Sequence, residues 1–238
     1  MYRWLNSILR KSGLHVTRAS RLEGLDYVAD IRKLLGDRKL GVILDVGANV
    51  GQSALRFNAG FKGMDIHCFE PVEKSFHEGR RRTSGYPNIT WHHTAVGNRN
   101  ASVTFYSAGR SETSSIHDTA ADPNCNKVDV NHVPITRLDD FCAEQGITTV
   151  GMVKTDTEGF DLDVIAGAGG LLDSASVECI VCEVGFKRSD SSHSYFGDIA
   201  AYLDGHGFTF VNLYGLAPIG HFQRYGCVYA DALFARHT

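Results

Sequence analysis

The feature that most constrains the fold of this chain is an apolar run that ends in a glycine-rich turn. Residues 42–46 are largely apolar, Gly47, Asn49 and Gly51 follow, and a helical pattern begins directly afterwards. A second apolar run at 65–69 also precedes a helical stretch, at about 73–82. Short strands that alternate with helices predict an α/β fold, in which helices cover both faces of a mostly parallel sheet.

The alternation continues over most of the chain. We predict further strands at 89–96, 150–155, 177–184, 208–213 and 227–235, and further helices at about 138–144, 160–172 and 195–203. Two additional strands, at 102–106 and 127–135, interrupt this order and enclose a polar stretch at 107–126. Long polar loops on a rigid scaffold often carry function, so this stretch is the predicted lid or acceptor loop.

The first forty residues differ from the rest. They hold two helical patterns, at 2–11 and about 22–35, and we predict an N-terminal helical cap at 1–40 on a domain at 41–238. Basic and apolar side chains mix in the first pattern, so contact with a membrane surface is an alternative to packing. The pattern lacks the continuous apolar stretch of a signal peptide, and no apolar run approaches the roughly 20 residues that span a bilayer. A cytoplasmic protein without a transmembrane segment is therefore expected.

The charge balance bears on the partner of this protein. Lys and Arg number 24 against 27 Asp and Glu, which gives a formal net charge of -3. A weakly acidic chain has no basic field that would attract a phosphate backbone. We therefore expect a small-molecule or glycan partner rather than a nucleic acid, while the oligomeric state is not indicated.

Two cysteines have the spacing of a CxxC motif. Cys179 and Cys182 fall within the predicted strand at 177–184, and residues three apart on a strand face opposite sides of the sheet. Zinc or redox chemistry needs the two thiols on one side. We therefore interpret the pair as core side chains and expect the thiols of a cytosolic enzyme to stay reduced.

The turn after the first strand predicts a nucleotide-like ligand. Glycines at a strand-to-helix turn let the backbone approach a ligand closely. Glu70, followed by Pro71, ends the second strand and is expected to accept hydrogen bonds from two ribose hydroxyls. Ribose binding fits NAD as well as S-adenosylmethionine. Asn49, however, occupies the place of the second glycine in the dinucleotide motif GxGxxG, which disfavours NAD.

The pattern DxGxxxG, from Asp45 to Gly51, suits a ligand that carries positive charge and no phosphate. A carboxylate would stabilise the ammonium and the sulfonium of S-adenosylmethionine. We therefore favour this methyl donor over a dinucleotide. Ala95 and Val96, after the third strand, are predicted to flank its adenine ring.

Several segments together resemble the FkbM methyltransferase family. The family has a fourth-strand motif of the KxDxEG type, which Lys154, Asp156, Glu158 and Gly159 match, and a Gly-Ala pair follows at 167–168. The loop at 45–51, Phe-Glu-Pro at 69–71, Leu-Asp-Asp at 138–140 and the segment at 229–234 also fit. The resemblance covers about residues 41–234.

This resemblance implies a Rossmann-like class I methyltransferase fold, with a seven-stranded sheet whose last strand is antiparallel. It implies S-adenosylmethionine as donor and O-methylation of a sugar, a glycan or glycolipid, or a natural product. It also places the reaction site at Lys154, Asp156 and Glu158, and Asp156 is expected to contact the cofactor as well. The three side chains would point the same way if the strand extended through all of them.

The roles of these acids remain open at this stage. Asp156 or Glu158 could take the hydroxyl proton of the acceptor. Alternatively both acids, with Glu183 at the end of the next strand, could hold a divalent cation that acidifies the hydroxyl. Lys154 would pair with the acids and keep them ionised.

Three histidines are weaker candidates for the site, and two other functions compete with methyl transfer. His92, His93 and His193 are more typical of structural or solvated histidines, although His193 is a further candidate base. An NAD-dependent oxidoreductase and a non-catalytic nucleoside-binding protein are the competing functions. Asn49 argues against the first, and the intact acids of the two motifs argue against the second.

Overall fold

A computed structural model describes residues 23–36, 38, 41–107, 129–218 and 227–236. The helical pattern at 2–11 lies outside the described residues, and so does the predicted lid except for its first residue. The described chain contains ten strands: β1 Val42–Val46, β2 Ile66–Phe69, β3 Ile89–His92, β4 Ala95–Val96, β5 Ala101–Ser107, β6 Asp129–Thr136, β7 Val150–Thr155, β8 Val177–Gly185, β9 Phe208–Pro218 and β10 Cys227–Arg236. Its helices are α1 Tyr27–Leu35, α2 Gln52–Gly60, α3 Glu73–Arg82, α4 Leu138–Gln145, α5 Asp161–Ala166, α6 Gly169–Asp173 and α7 Phe196–Gly205.

The main sheet has seven strands in the order β3-β2-β1-β7-β8-β10-β9. The five strands from β3 to β8 in this order pair in parallel, whereas β10 runs antiparallel to both of its neighbours. The predicted class I methyltransferase fold, with a mostly parallel sheet and an antiparallel last strand, is confirmed. The carboxyl ends of β1, β2, β7 and β8 lie along one edge, which is where open α/β sheets bind ligands.

Helices cover both faces of this sheet. Ile31 of α1 and Phe57 of α2 belong to one buried cluster, together with Cys179. Cys182 belongs to a second cluster, which contains side chains of α4, α5, α6 and α7. Both thiols are free and fully buried, on opposite faces of β8. The interpretation of the CxxC pair as core side chains is therefore confirmed.

The helix predicted at about 22–35 begins later, at Tyr27. Asp26 caps it, because its carboxylate accepts a hydrogen bond of 2.9 Å from the backbone N–H of Val28. The Tyr214 hydroxyl on β9 donates to the buried Asp30 carboxylate at 2.9 Å. The contact between Tyr214 and Asp30 attaches α1 to the sheet, while the division of the chain at residue 40 stays a prediction.

Two predicted elements are each broken in two. The strand expected at 89–96 ends at His92, because Ala95 and Val96 leave the main sheet and pair with β6 in a three-stranded sheet of order β4-β6-β5. The helix expected at 160–172 stops before Gly167. A new helix starts there, because Asp139 accepts hydrogen bonds from the backbone N–H groups of Gly170 and Leu171.

None of the helices in the described part of the chain has the length and apolar character that a bilayer crossing needs. The cytoplasmic location stays a prediction.

Candidate active site

The turn between β1 and α2 is built by three residues in the left-handed region of backbone space. Gly47, Asn49 and Gly51 have φ angles of 74°, 48° and 83°. The backbone N–H groups of Gly47 and Ala48 both donate to the Phe69 carbonyl at the end of β2, at 3.0 and 3.1 Å. The turn is therefore fixed to the neighbouring strand, as a rigid ligand-binding loop requires.

This turn also lies against the end of β7. A Cβ atom at Gly47 would overlap the backbone carbonyl oxygen of Asp156. The Asp156 N–H donates to the Val46 carbonyl at 3.1 Å. The absence of a side chain at Gly47 thus allows the glycine-rich turn and the KxDxEG segment to come into direct contact.

A buried lysine joins the two segments electrostatically. Lys154 Nζ lies 3.1 Å from Asp156 Oδ2 and 3.8 Å from Asp45 Oδ1, and only 7% of its side chain is exposed. Burial alone would lower the pKa of Lys154, but the Asp156 and Asp45 carboxylates raise it well above its usual value. Lys154 is therefore a permanent cation between a fully buried acid and a partly exposed one. The Ser53 hydroxyl donates to the other oxygen of Asp45 at 2.6 Å.

Glu70 lies directly beside the glycine-rich turn. One of its carboxylate oxygens accepts a 2.9 Å hydrogen bond from the Asn49 N–H, and the other accepts a 2.8 Å bond from the Val72 N–H. Burial raises the pKa of Glu70 to about 7, although these two N–H groups oppose the shift. Pro71 follows, and its carbonyl accepts a hydrogen bond of 3.0 Å from His93 Nε2.

The segment after β7 does not continue as a strand. β7 ends at Thr155, and Glu158 and Gly159 take φ angles of 51° and 99°. The three side chains are expected to point the same way only if the strand reaches Glu158. It does not, so the expected alignment does not include Glu158. The turn instead places Glu158 near Asp156, and burial and the Asp156 charge raise the pKa of Glu158.

Further acids surround this edge of the sheet. Burial raises the pKa of Glu183 to about 9, with contributions from the charges of Asp156, Asp161 and other acids. Asp161, which the sequence analysis did not single out, is fully buried, and its pKa rises to about 6 for the same reason. Asp231 stands opposite Glu183 in the β8–β10 register.

Metal binding was the alternative role for three of the acids. Within the described ranges, no group of three or more His, Cys, Asp or Glu side chains is arranged to hold a metal ion. Asp156, Glu158 and Glu183 thus lie on one edge of the sheet without forming a ready-made ligand set.

The three histidines have different surroundings. His92 stacks on Phe69 and lies 3.0 Å from a ring nitrogen of His67, and burial lowers its pKa to about 4. His92 is therefore a packed side chain, and His93, as described, bonds to a backbone carbonyl. His193 is different, because its ring is flanked by Asp190 and Glu183.

Ala95 and Val96 are buried in the smaller sheet. Ala95 packs with Val133 and Ile135, and Val96 belongs to the core cluster that contains Cys182. A contact of either residue with an adenine ring remains a prediction.

Comparison with known proteins identifies the family of this chain. The sequence profile of the Methyltransferase FkbM domain matches residues 45–210, which include the turn, Glu70 and the whole KxDxEG segment. The chain belongs to the FkbM methyltransferase family.

Two relatives have named activities. The 2-O-methyltransferase NoeI of Sinorhizobium fredii (strain NBRC 101917 / NGR234) is 26% identical over 180 residues, which are 66% of this chain and 73% of NoeI. The 31-O-demethyl-FK506 methyltransferase FkbM of Streptomyces tacrolimicus is 26% identical over 197 residues, 71% of this chain and 73% of the relative.

Solved structures share the fold. The N-terminal domain of human METTL16 in complex with SAH superposes with a TM-score of 0.50 at 14% identity, covering 100% of this chain and 82% of that one. An rRNA methylase from Streptococcus thermophilus superposes with a TM-score of 0.50 at 11% identity, covering 89% and 95%. Because folds of this kind also serve RNA methylases, the fold leaves the predicted exclusion of nucleic acid untested.

The predictions of the FkbM family and of an enzyme that transfers methyl groups from S-adenosylmethionine are thereby confirmed. Transfer to oxygen is the activity that both relatives' names print, in agreement with the predicted O-methyltransferase. The NAD-dependent alternative is not supported.

Proposed function

We propose that this FkbM-family enzyme methylates a hydroxyl group of a sugar, a glycan or glycolipid, or a natural product, at the edge where β1, β2, β7 and β8 end. One observation carries the proposal: Gly47 brings the glycine-rich turn into contact with Asp156, so a donor in the turn would reach the acids. The names of NoeI and of the FK506 methyltransferase both give an oxygen position, which supports a hydroxyl group as the site of methylation.

The residues of the turn suit S-adenosylmethionine. Bound there, the donor would supply an electrophilic methyl group. Glu70 offers carboxylate oxygens to ribose hydroxyls, and its two backbone hydrogen bonds hold it in place. Gly47 lacks the side chain that would overlap the Asp156 carbonyl, so the turn can hold a donor next to Asp156. Asp45 and Asp156 supply negative charge next to a cationic ligand, beyond what Lys154 neutralises.

The acids at this edge suit a hydroxyl-bearing acceptor better than a nucleic acid. The Asp156 side chain is 41% exposed and Glu158 is half-buried, so both can accept hydrogen bonds from hydroxyl groups. The ionised acids there would repel the phosphates of an RNA strand. We therefore propose that Asp156 and Glu158 bind the acceptor, and that Lys154 positions Asp156.

The acceptor class can be tested directly. The enzyme is incubated with methyl-labelled S-adenosylmethionine and, separately, a glycan and polyhydroxyl library, a cell extract and total RNA. We expect label in ether linkages to oxygen of a glycan or natural product, identified by mass spectrometry. Label in RNA, or binding of the donor without transfer to any hydroxyl compound, would contradict the proposal.

Donor affinity should depend on pH through Glu70. Ribose hydroxyls donate to the ionised carboxylate, so affinity is fully present above the pKa of about 7 and is lost as the pH falls through it. We expect calorimetry to give about tenfold weaker binding at about pH 6 than at about pH 8. In Glu70→Gln, binding should be weak and this pH dependence should vanish. Parallel curves for the two proteins would refute the assignment, because titration of the donor itself affects both equally.

Asp156→Asn should separate binding from turnover. The amide keeps the shape of the side chain but loses the charge that faces the acceptor. We expect turnover to fall by about a hundredfold, within the usual range for a polar catalytic group. The dissociation constant for the donor should stay within about threefold, because Glu70, Asp45 and the turn are untouched and the lost Asp156 charge is 41% exposed and therefore screened by solvent. Steady-state kinetics and calorimetry on the same preparation check both values. A variant with normal turnover would remove Asp156 from the site.

A further inference from the structure

A histidine outside the family motif lies at the same edge of the sheet. His193 belongs to the segment between β8 and α7, and only 12% of its side chain is exposed. The segment folds back over the turn after β7, where the Ser194 hydroxyl donates to the Gly159 carbonyl at 2.9 Å. The Gly185 N–H also donates to the Ser194 carbonyl at 2.8 Å. His193 is thereby fixed between the end of β8 and the turn that carries Glu158.

The ring of His193 is held in one orientation. Asp190 Oδ2 lies 2.8 Å from Nδ1, and the other oxygen of Asp190 accepts a 2.9 Å hydrogen bond from the Ser192 N–H. The Tyr229 ring stacks on the imidazole, with centroids 4.4 Å apart and planes inclined by 14°. These contacts fix the ring plane and direct Nε2 towards Glu183, whose Oε2 lies 3.6 Å away.

The charges around the ring favour one tautomer. Asp190 is a carboxylate that can only accept, because its hydrogen bonds with Ser192 and His193 outweigh partial burial and lower its pKa. The proton of a neutral imidazole therefore resides on Nδ1, which leaves a lone pair on Nε2. Glu183, with its pKa raised to about 9, is uncharged at neutral pH and does not form an ion pair with Nε2.

We propose that His193 is the base that takes the proton from the acceptor hydroxyl, and that Asp190 is its positioning residue. This inference rests on the proposed function. The hydroxyl oxygen forms a bond to the methyl carbon, and the carbon–sulfur bond breaks with its electron pair remaining on sulfur. The hydroxyl proton passes to Nε2, and Asp190 stabilises the resulting imidazolium until the proton leaves to water.

The arrangement favours His193 over the motif acids for this role. Asp156 is already engaged by Lys154 at 3.1 Å, and this ion pair would be weakened if Asp156 took up a proton. His193 instead contacts Asp190, and this interaction becomes stronger when the ring takes up a proton. The pairing of a base with an orienting carboxylate recurs in unrelated hydrolytic sites for the same physical reason.

The chain contains a matched control for a histidine–aspartate pair. His206 Nδ1 lies 2.7 Å from Asp173 Oδ1, a contact like that of His193 with Asp190. His206 follows α7 and Asp173 ends α6, shortly before β8 begins, so this pair lies at the opposite edge of the sheet. His206→Ala removes an equivalent contact without touching the site.

Nitrogen NMR of the full chain labelled in histidine tests the orientation without an acceptor. With S-adenosylhomocysteine added, His193 should show the Nδ1–H tautomer, and Asp190→Asn should change its signals without changing those of His206. A His193 ring protonated on Nε2 in its neutral form, or one unaffected by Asp190→Asn, would overturn the inference.

Kinetics with the acceptor identified above test the proton transfer. We expect His193→Ala to lower kcat by about a hundredfold or more, with the acceptor KM and the donor dissociation constant within about threefold. Added imidazole should restore part of the activity, whereas His206→Ala should behave like the wild type. If the wild type is active and His193→Ala is equally active, His193 is not the base, while the proposed function still stands. A wild type that methylates no hydroxyl contradicts the proposed function and, with it, the base.

Discussion

Replacing Lys154 with Met is expected to lower the free energy of unfolding by about 3 kcal/mol at neutral pH, because a buried charge then loses its partner. Asp45 is fully buried, and the Lys154 ammonium lies 3.8 Å from its Oδ1 atom. Without Lys154 the carboxylate retains the hydrogen bond from the Ser53 hydroxyl, which carries no charge. Methionine fills a similar volume, so the loss reports on charge rather than on a cavity. Urea denaturation measures it.

Two companion variants make this prediction specific. Asp45→Asn combined with Lys154→Met removes both buried charges and should recover most of the stability that the single variant loses. Asp156→Asn removes the partly exposed partner and should change the free energy of unfolding by less than about 1 kcal/mol. The cycle would fail if the double variant were as unstable as Lys154→Met alone, because Asp45 would then not be the cause.

The sign of the pH dependence follows from the same pair. Burial already raises the pKa of Asp45, and Lys154 and Ser53 oppose that shift. In Lys154→Met this opposition is weakened, so protonation of Asp45 becomes easier in the folded state. The folded variant then binds more protons than the unfolded chain as the pH falls. We therefore expect the deficit relative to the wild type to shrink from about pH 8 to about pH 5.

Much of the fold, and the arrangement of the residues proposed to bind the donor, follow from local sequence. Apolar runs that end in glycine or an acid determine where β1 and β2 stop, and Glu70 lies next to the turn because the carboxyl ends of parallel neighbours meet. The separation of Cys179 from Cys182 follows from the two-residue period of a strand. These features depend on residues close together in sequence, so they can be predicted from one amino-acid sequence.

The proposed acceptor side depends on contacts that sequence spacing does not encode. The left-handed conformation of Glu158, a residue that ordinarily avoids it, redirects the chain after β7 and is not visible in a KxDxEG pattern. In the sequence, Asp161 resembles an ordinary acid at the start of a helix. In the folded protein it is completely buried. His193 is a candidate base in the sequence, but its contacts with Asp190, Glu183 and Tyr229 depend on the folded structure. Such roles arise from tertiary packing.

Gly47 joins the two sides of the proposed site, which makes this glycine the most informative position for substitution. Gly47→Ala should lower the free energy of unfolding by about 3 kcal/mol, of which about 1 kcal/mol reflects the left-handed backbone and about 2 kcal/mol the overlap with the Asp156 carbonyl. Relief of that overlap must move the turn away from β7. Donor affinity should therefore fall by about a hundredfold, since the backbone around the ligand is displaced.

Gly63→Ala separates backbone strain from this close approach. Gly63 has a φ angle of 79°, close to the 74° of Gly47, but a Cβ atom there would meet no other atom within 4 Å. We expect Gly63→Ala to cost about 1 kcal/mol of stability and to bind S-adenosylmethionine as the wild type does. Calorimetry on both variants, at a temperature where each is folded, compares them directly. Equal donor affinity in Gly47→Ala and Gly63→Ala would mean that the contact between the turn and β7 plays no part in binding, and the site would have to lie elsewhere on the sheet.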